Sequence, residues 1–428
     1  MSPAAGRSRR TNVSREKAAD LLERAAALAF CTERPGEILR TFLSAAVDDV
    51  HCNLRSWFQS AGAITSVDDA GNFRAFYGTD SDSATARLVI ASHLDTVANA
   101  GAYDGVLGVL IGLALIEALE GKRFSFEIEV IGFSDEEGTR FGIPFIGSRA
   151  FVGEGNDAAL LSAKDAAGVT VREALDQYRQ EHPEALPSVL ASNSAAYVEF
   201  HIEQGPVLES RGLSLGVVES IAGQSRCDLL FRGKAGHAGT SPMALRSDAL
   251  AAAAQWMTRC EAIAAQTDGL VATVGKIAAE PGAVNVIPGI VRCSLDVRHA
   301  NDMVRRRATD AILEAAGSVA HQRGLSVEAR EYHSQPAVHL DAEMVLLAEE
   351  AVRDSERPCI RMTSGAGHDA MVVAPHIPAC MVFLRSPGGI SHHPDESVLI
   401  EDVEAAIEAG VNLLKRFELT SKVSRQRA

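Results

Sequence analysis

The sequence predicts an α/β fold in which a large α/β domain, residues 1–212 with 331–428, is interrupted by a smaller α+β domain at 213–330. Three observations predict it. Between residues 87 and 137 the chain reads strand, helix, strand, with both strands reading as buried and running into polar residues. From Leu213 the rhythm changes to β-α-β-β-α-β, the ferredoxin-like order. Beyond about residue 330 it returns to helix, strand and helix.

The elements follow in chain order. MSPAAGRSRRTNVSREK is basic and Ser-rich with no apolar run behind it, so a flexible tail is expected rather than a secretory signal. A transit peptide is the alternative reading. Residues 15–60 read as one or two helices. RLVIASHLD (87–95) reads as a buried strand ending in polar residues. DGVLGVLIGLALIEALEGK (104–122) is apolar on most faces and reads as a helix stopped near Gly121. SFEIEVIGFSDEE (125–137) is a second buried strand. Buried strands joined by a helix form a βαβ unit in a mostly parallel or mixed sheet. Ligands of such sheets gather beyond the carboxyl ends of the strands, and His93, Asp95 and the acids Asp135, Glu136 and Glu137 fall there. In the second rhythm CDLLFRG, LVATVGKIAAE, GIVRCSLDVR and LSVEAREY are strands, while 244–266 and 302–324 are helices. ACMVFLRS and 401–416 close the chain as strand and helix. A cleft between two such domains is a natural ligand site.

Composition bounds the function. At roughly 100–200 residues per domain, 428 residues suit two or three domains. A formal net charge of −15 argues against nucleic acid and against an anionic membrane surface, both of which attract basic proteins. Seven scattered cysteines with no C-x-x-C pair suit reduced thiols in a cytoplasmic compartment. LGVLIGLALIEAL is shorter than the roughly 20 residues of a membrane span.

Four segments collect residues that bind metals: ASHLDTVANAGAYDG with His93, Asp95 and Asp104; SDEEG; EFHIEQGP with His201 and Glu203; and GGISHHPDE with His392 and His393. Imidazoles and carboxylates without thiolates suit a hydrolytic divalent-ion site. A two-ion site needs a bridging carboxylate between ions roughly 3.5–4 Å apart. A solvated turn is the plain alternative for FSDEEGTRFG, and a satisfied structural histidine the plain alternative for each His taken alone.

Taken together, SHLDTV…DGVLGV, FSDEEGTRFG, FIGSRA, HIEQGPVLE, AGHAGTSPM, NVIPG, SGAGHDAM and GGISHHPDE resemble the amidase branch of the dinuclear metallopeptidase M20 family. Its members include allantoate amidohydrolases, N-carbamoyl-L-amino acid hydrolases and β-ureidopropionases. The resemblance runs from about residue 92 to 397 and implies a metallopeptidase-like α/β/α catalytic domain with an inserted lid and dimerisation domain. It implies two divalent ions per subunit, Mn²⁺ first, with Zn²⁺, Co²⁺ or Ni²⁺ as alternatives. Asp104 would bridge them, His93 and His201 would complete one, and Glu137 and His392 the other. Glu136 would be the general base, and Asp95 would orient His93. In an extended segment neighbouring side chains point to opposite sides, so Glu137 is expected to face a metal and Glu136 the reacting water. The choices of His392 over His393, and of which glutamate is the base, rest on the resemblance alone.

The same resemblance implies that His237 stabilises an oxyanion and that Asn285 lies with it on the inserted domain, which builds a homodimer and serves either its own subunit's site or the partner's. Arg298 would hold a substrate carboxylate with its guanidinium fork. Gln204 would bond the ureido group, and Gly365, Ala366 and Gly367 would offer backbone N–H groups, with His368 and Asp369 supporting that loop. The expected substrate is a small ureido compound bearing a carboxylate. MVFLRSPGGISHHPDE and SGAGHDAM look most like allantoate amidohydrolases; an N-carbamoyl-L-amino acid hydrolase or β-ureidopropionase is the alternative, and an aminopeptidase or carboxypeptidase of the same superfamily or a non-catalytic binding protein on the same fold the more distant ones.

Overall fold

The computed structural model describes residues 3–78 and 86–427, with side chains from 14 to 419. The chain forms two compact units: Met1–Glu219 with Leu340–Met362 and Gly367–Ala428, and Ser220–His339 with Thr363–Ala366. These limits lie a few residues beyond the 213–330 read from the sequence.

In the large unit the strands β1 (Ile64–Val67), β2 (Phe73–Tyr77), β3 (Arg87–His93), β4 (Glu127–Phe133), β5 (Ser194–Ile202) and β6 (Leu215–Ile221) share one mixed sheet with Ala379–Leu384. The order is β1-β2-β4-β3-β5, then Ala379–Leu384, then β6. β3 pairs in parallel with β4 and β5, and β5 in parallel with Ala379–Leu384. Parallel strands are covered on both faces, which is why they read as mostly apolar runs; Leu88 to His93 and Ile128 to Phe133 are all buried, Glu129 among them. The connecting helix Val106–Ala118 is buried at every position from Val106 to Ile116. A helix apolar all round belongs in an interior. It packs so closely on β5 that a Cβ at Gly108 would strike the carbonyl oxygen of Phe200.

In the small unit β7 (Gly223–Arg232), β8 (Ile290–His299) and β9 (Ser326–Gln335) are antiparallel, with β7 in the middle. Val271–Thr273 and Ile277–Glu280 pair with β8 on its other side. The helices Ala249–Ala265 and Asp302–Gln322 begin on side-chain caps from Asp248 and Asn301. Strand residues Cys227, Leu229, Phe231, Val291, Cys293 and Leu295 bury one face of this sheet in a core with Trp256 and Ile312. The intervening Arg226, Asp228, Arg292, Ser294, Asp296 and Arg298 alternate with them, as the period of two requires.

Two expectations are corrected. The basic N-terminal segment is not a tail where it is described: α-helix runs from Pro3 to Leu28. The second strand ends at Phe133, and Ser134 to Glu137 form bends rather than a continued extended segment. All seven cysteines, each among the described residues, are free thiols. Among the described residues no helix is long and apolar enough to cross a membrane.

Candidate metal centre

Four loops and strand ends of the large unit meet at the carboxyl edge of its parallel strands. His93 is the last residue of β3, and His201 is the penultimate residue of β5. Asp104 lies just before the helix Val106–Ala118, separated from it by Gly105 at φ 68°. That glycine is required twice over: the left-handed backbone disfavours other residues, and a Cβ there would strike the His93 ring. Glu136 and Glu137 follow β4. His392 sits at φ 54° in the loop after Ala379–Leu384.

Asp104 turns one oxygen toward two histidines and the other toward His392. Oδ1 lies 3.3 Å from Nε2 of His201 and 3.9 Å from Nε2 of His93. Oδ2 lies 3.2 Å from Nε2 of His392, which is itself 3.3 Å from Oε1 of Glu137. His93, Asp104 and His201 each offer a ligand atom within 4.8 Å of the others, and so do Asp104, Glu137 and His392. Glu136 lies with His93 and Glu137 in a further such group.

The hydrogen bonds favour a cation here. Nδ1 of His93 donates to the carbonyl of Asp95 at 3.0 Å, and Nδ1 of His201 to the carbonyl of Ile202 at 2.9 Å. With the proton on Nδ1, a ring in its neutral form turns a bare Nε2 lone pair inward. Those two nitrogens face each other at 3.4 Å, beside a carboxylate and in a buried site. Such an arrangement is repulsive unless positive charge sits within it. The residues therefore fit a pair of small divalent ions sharing Asp104. The protonation equilibria show the same pull toward positive charge: burial lowers the His93 pKa, but the Asp95 hydrogen bond and the Asp95, Glu136 and Asp104 carboxylates outweigh it and hold the ring well above the usual imidazole range. Burial lowers the His201 pKa to about 4. His392, hydrogen-bonded to Asp104 and Glu137, is raised to about 10. For Asp104, burial raises the pKa, but the hydrogen bond from His392 and the nearby imidazoles outweigh it and hold the group ionised.

Asp95 acts mainly on the glutamates. Its Oδ1 accepts the N–H of Glu136 at 2.8 Å and its Oδ2 that of Glu137 at 3.0 Å, which fixes the bend after β4. Toward His93 its carbonyl is the nearer acceptor, the carboxylate lying at 3.4 Å. The expected divergence of Glu136 and Glu137 to opposite sides is wrong. The bend brings an oxygen of each within 4.8 Å of the other and of His93. Burial first, then the Glu137 carboxylate, pushes Glu136 well above the usual carboxylate range. Asp135 is fully buried and also raised, chiefly by burial and then by Asp95.

The other predicted residues divide between the units. Gln204 donates its amide to both oxygens of Asp104, at 3.1 and 3.0 Å. His368 and Asp369 are buried, and the His368 ring meets that of His201 edge-on at 4.5 Å. His393 turns away from the cluster, exposed, and accepts the N–H of Asp395. His237, Asn285, Arg298, Gly365 and Ala366 belong to the small unit. A short ladder pairs His237 with Val286, and the Asn285 carbonyl accepts the N–H of Ala238 at 2.9 Å. Arg298 closes its fork on Asp296, at 2.8 and 3.0 Å, and donates to the Gly365 carbonyl at 2.7 Å. Arg226 shares the same Asp296, so two guanidiniums face one carboxylate. Both arginines line a small-unit cavity of about 760 Å³ with Lys276, Tyr332, Thr363 and Gly365.

Glu199 escaped the sequence reading. It groups with His201 and His368, and its Oε2 accepts the Tyr197 hydroxyl and the Ala370 N–H. The signal was present: Glu199 stands two residues before His201 in a strand, hence on the same face.

The chain is similar to known proteins over most of its length. The model of peptidase family M20/M25/M40 matches residues 89–416. Allantoate deiminase 1 of Glycine max is 35% identical over 420 residues, covering 90% of this chain and 86% of that protein. The N-carbamoyl-L-amino acid amidohydrolase of Geobacillus stearothermophilus is 38% identical over 358 residues, covering 82% and 87%. The crystal structure of an amidase of the hydantoinase/carbamoylase family from Burkholderia multivorans superposes with a TM-score of 0.87 at 31% identity, covering 93% of this chain and 97% of that one.

Proposed function

The chain belongs to peptidase family M20/M25/M40, and from that premise we propose that it hydrolyses the carbamoyl C–N bond of a small ureido compound bearing a carboxylate. Allantoate is the first choice, its carbamoyl group leaving as ammonia and carbon dioxide with ureidoglycine as the other product. The observation that carries this reading is the split of Asp104, one oxygen to His93 and His201 and the other to His392, which in turn meets Glu137. These five residues would hold two divalent ions, Mn²⁺ first. Bound ions of this kind polarise a carbonyl and acidify water.

The chain's own residues then have distinct tasks. Glu136 takes a proton from the attacking water and returns it to the leaving nitrogen. Asp95 holds the bend that presents it. His237 accepts the N–H of Gly239 on Nδ1 at 3.1 Å, so Nε2 carries the proton and is the donor offered to a developing oxyanion. Arg298, with Arg226 beside it, supplies the positive charge for the substrate carboxylate. Gln204, Asn285 and the backbone of Gly365 and Ala366 complete the polar contacts.

Met243 and Leu245, each 78% exposed, and the fully exposed Val284 lie on the small unit near His237 in sequence or pairing. Exposed apolar groups of this kind support the reading of that unit as a homodimer surface. The free thiols support a reducing, cytoplasmic compartment.

An N-carbamoyl-L-amino acid is the second reading, favoured by the 38% identity to the Geobacillus enzyme. A panel of allantoate, N-carbamoyl-L-amino acids, ureidoglycine and N-carbamoyl-β-alanine, each with Mn²⁺, Zn²⁺, Co²⁺ and Ni²⁺, separates the two. Allantoate is expected to show the highest kcat/KM. Turnover of dipeptides in preference to every ureido compound overturns the proposal.

A further inference from the structure

Glu396 has no part in the chemistry above. It follows four exposed residues, His392 to Asp395, yet is itself only 5% exposed. Burying a carboxylate costs several kcal/mol unless its oxygens are well bonded. Here they are bonded to two different loops. Oε1 accepts the N–H groups of Tyr103 and Asp104, both at 3.0 Å. Oε2 accepts the hydroxyl of Ser391 at 3.1 Å. The Glu396 N–H donates to the His393 carbonyl at 3.0 Å and closes the turn that directly follows His392. Gly101 leaves room for this contact, since a Cβ there would run into the Glu396 side chain.

One side chain thus joins the backbone of Asp104 to the residue next to His392. His93 and His201 need no such tie, because each stands at the end of a central parallel strand. His392 stands in a loop, 48% exposed, with no strand to place it.

We propose that Glu396 is a positioning residue: it fixes the distance between Asp104 and His392, and so governs filling of the ion position formed by Asp104, Glu137 and His392. This rests on the two-ion reading above. Without the tie, the His392 loop is free to drift while the His93–His201 position keeps both its imidazoles. A neutral glutamine retains the tie, since its oxygen accepts the same two N–H groups and its amide donates to Ser391.

The test is metal binding by the full chain, stripped of metal and titrated with Co²⁺, read by stoichiometry and by the visible absorption of the bound ion. The unaltered protein is expected to bind two ions. Glu396→Ala is expected to bind the first with unchanged affinity and the second at least tenfold more weakly, with loss of the second ion's absorption step. Glu396→Gln is expected to restore both steps. Ser391→Ala removes one of the three bonds at little risk to folding and is expected to weaken the second step alone. Two ions bound unchanged by Glu396→Ala or by Ser391→Ala overturn the inference, as does equal weakening of both steps. Fewer than two ions on the unaltered protein overturns the two-ion reading itself, and the inference with it.

Discussion

Replacing Glu136 by glutamine separates chemistry from architecture. The substitution keeps the side-chain volume. The main-chain N–H groups that Asp95 holds are untouched, so the bend and Glu137 stay in place. What is lost is the group that moves protons. No neighbour replaces it, because Glu137 is committed beside His392 and Asp135 is fully buried. Glu136 is 7% exposed, which leaves little access for bulk water as a substitute base. A positioned acid–base group contributes about 10²–10⁴ in rate. Because Glu136 would serve both the attacking water and the leaving nitrogen, the upper half of that range applies. At about 1.4 kcal/mol per tenfold, a loss of about 10³–10⁴ in kcat raises the barrier by about 4–5 kcal/mol. Ammonia release from allantoate under Mn²⁺, with metal content and melting temperature measured on the same sample, reads the effect. A kcat within tenfold of the unaltered enzyme, with metal still bound, refutes the assignment of Glu136 as base.

Three further predictions stand on separate observations. Arg298→Ala removes a charged donor worth about 1.5–3 kcal/mol, so KM for carboxylate-bearing substrates should rise roughly 10–100-fold; an unchanged KM removes Arg298 from binding. His237→Ala should lower kcat about 10²–10³-fold with little change in KM, and an unchanged kcat would exclude it from oxyanion stabilisation. His51, buried with no partner for Nε2, has its pKa pushed down by burial to about 3, against about 6.5 in an unfolded chain. The unfolded chain therefore takes the proton first. Stability should be complete above about pH 6.5 and fall by about 1.4 kcal/mol per unit as the pH drops toward 3. Urea melts of His51→Leu between pH 7 and 5 should show a shallower loss than the parent; parallel losses would contradict this.

The sequence displayed whatever depends on continuous burial or on position along a strand. β3, the helix Val106–Ala118 and β4 were legible because both faces of the sheet are covered and the runs are mostly apolar. The metal-type residues were legible because they stand just past those runs. Hidden features depend on backbone groups brought from afar. The bend that sets Glu136 beside Glu137 is made by main-chain donors to Asp95, about 40 residues away in the chain. Glu396 is bonded to Asp104 across 292 positions. The left-handed backbone at His392, which turns that imidazole rather than that of His393 into the cluster, leaves no mark on an His-His pair. The Asp296–Arg298 bond was legible in principle, since residues two apart in a strand share a face.

Anomalous X-ray scattering from crystals of the Mn²⁺-loaded protein tests the central claim most directly. Two manganese peaks are predicted roughly 3.5–4 Å apart, flanking Asp104, one beside His93 and His201 and the other beside Glu137 and His392. A single peak, or peaks away from Asp104, would contradict it.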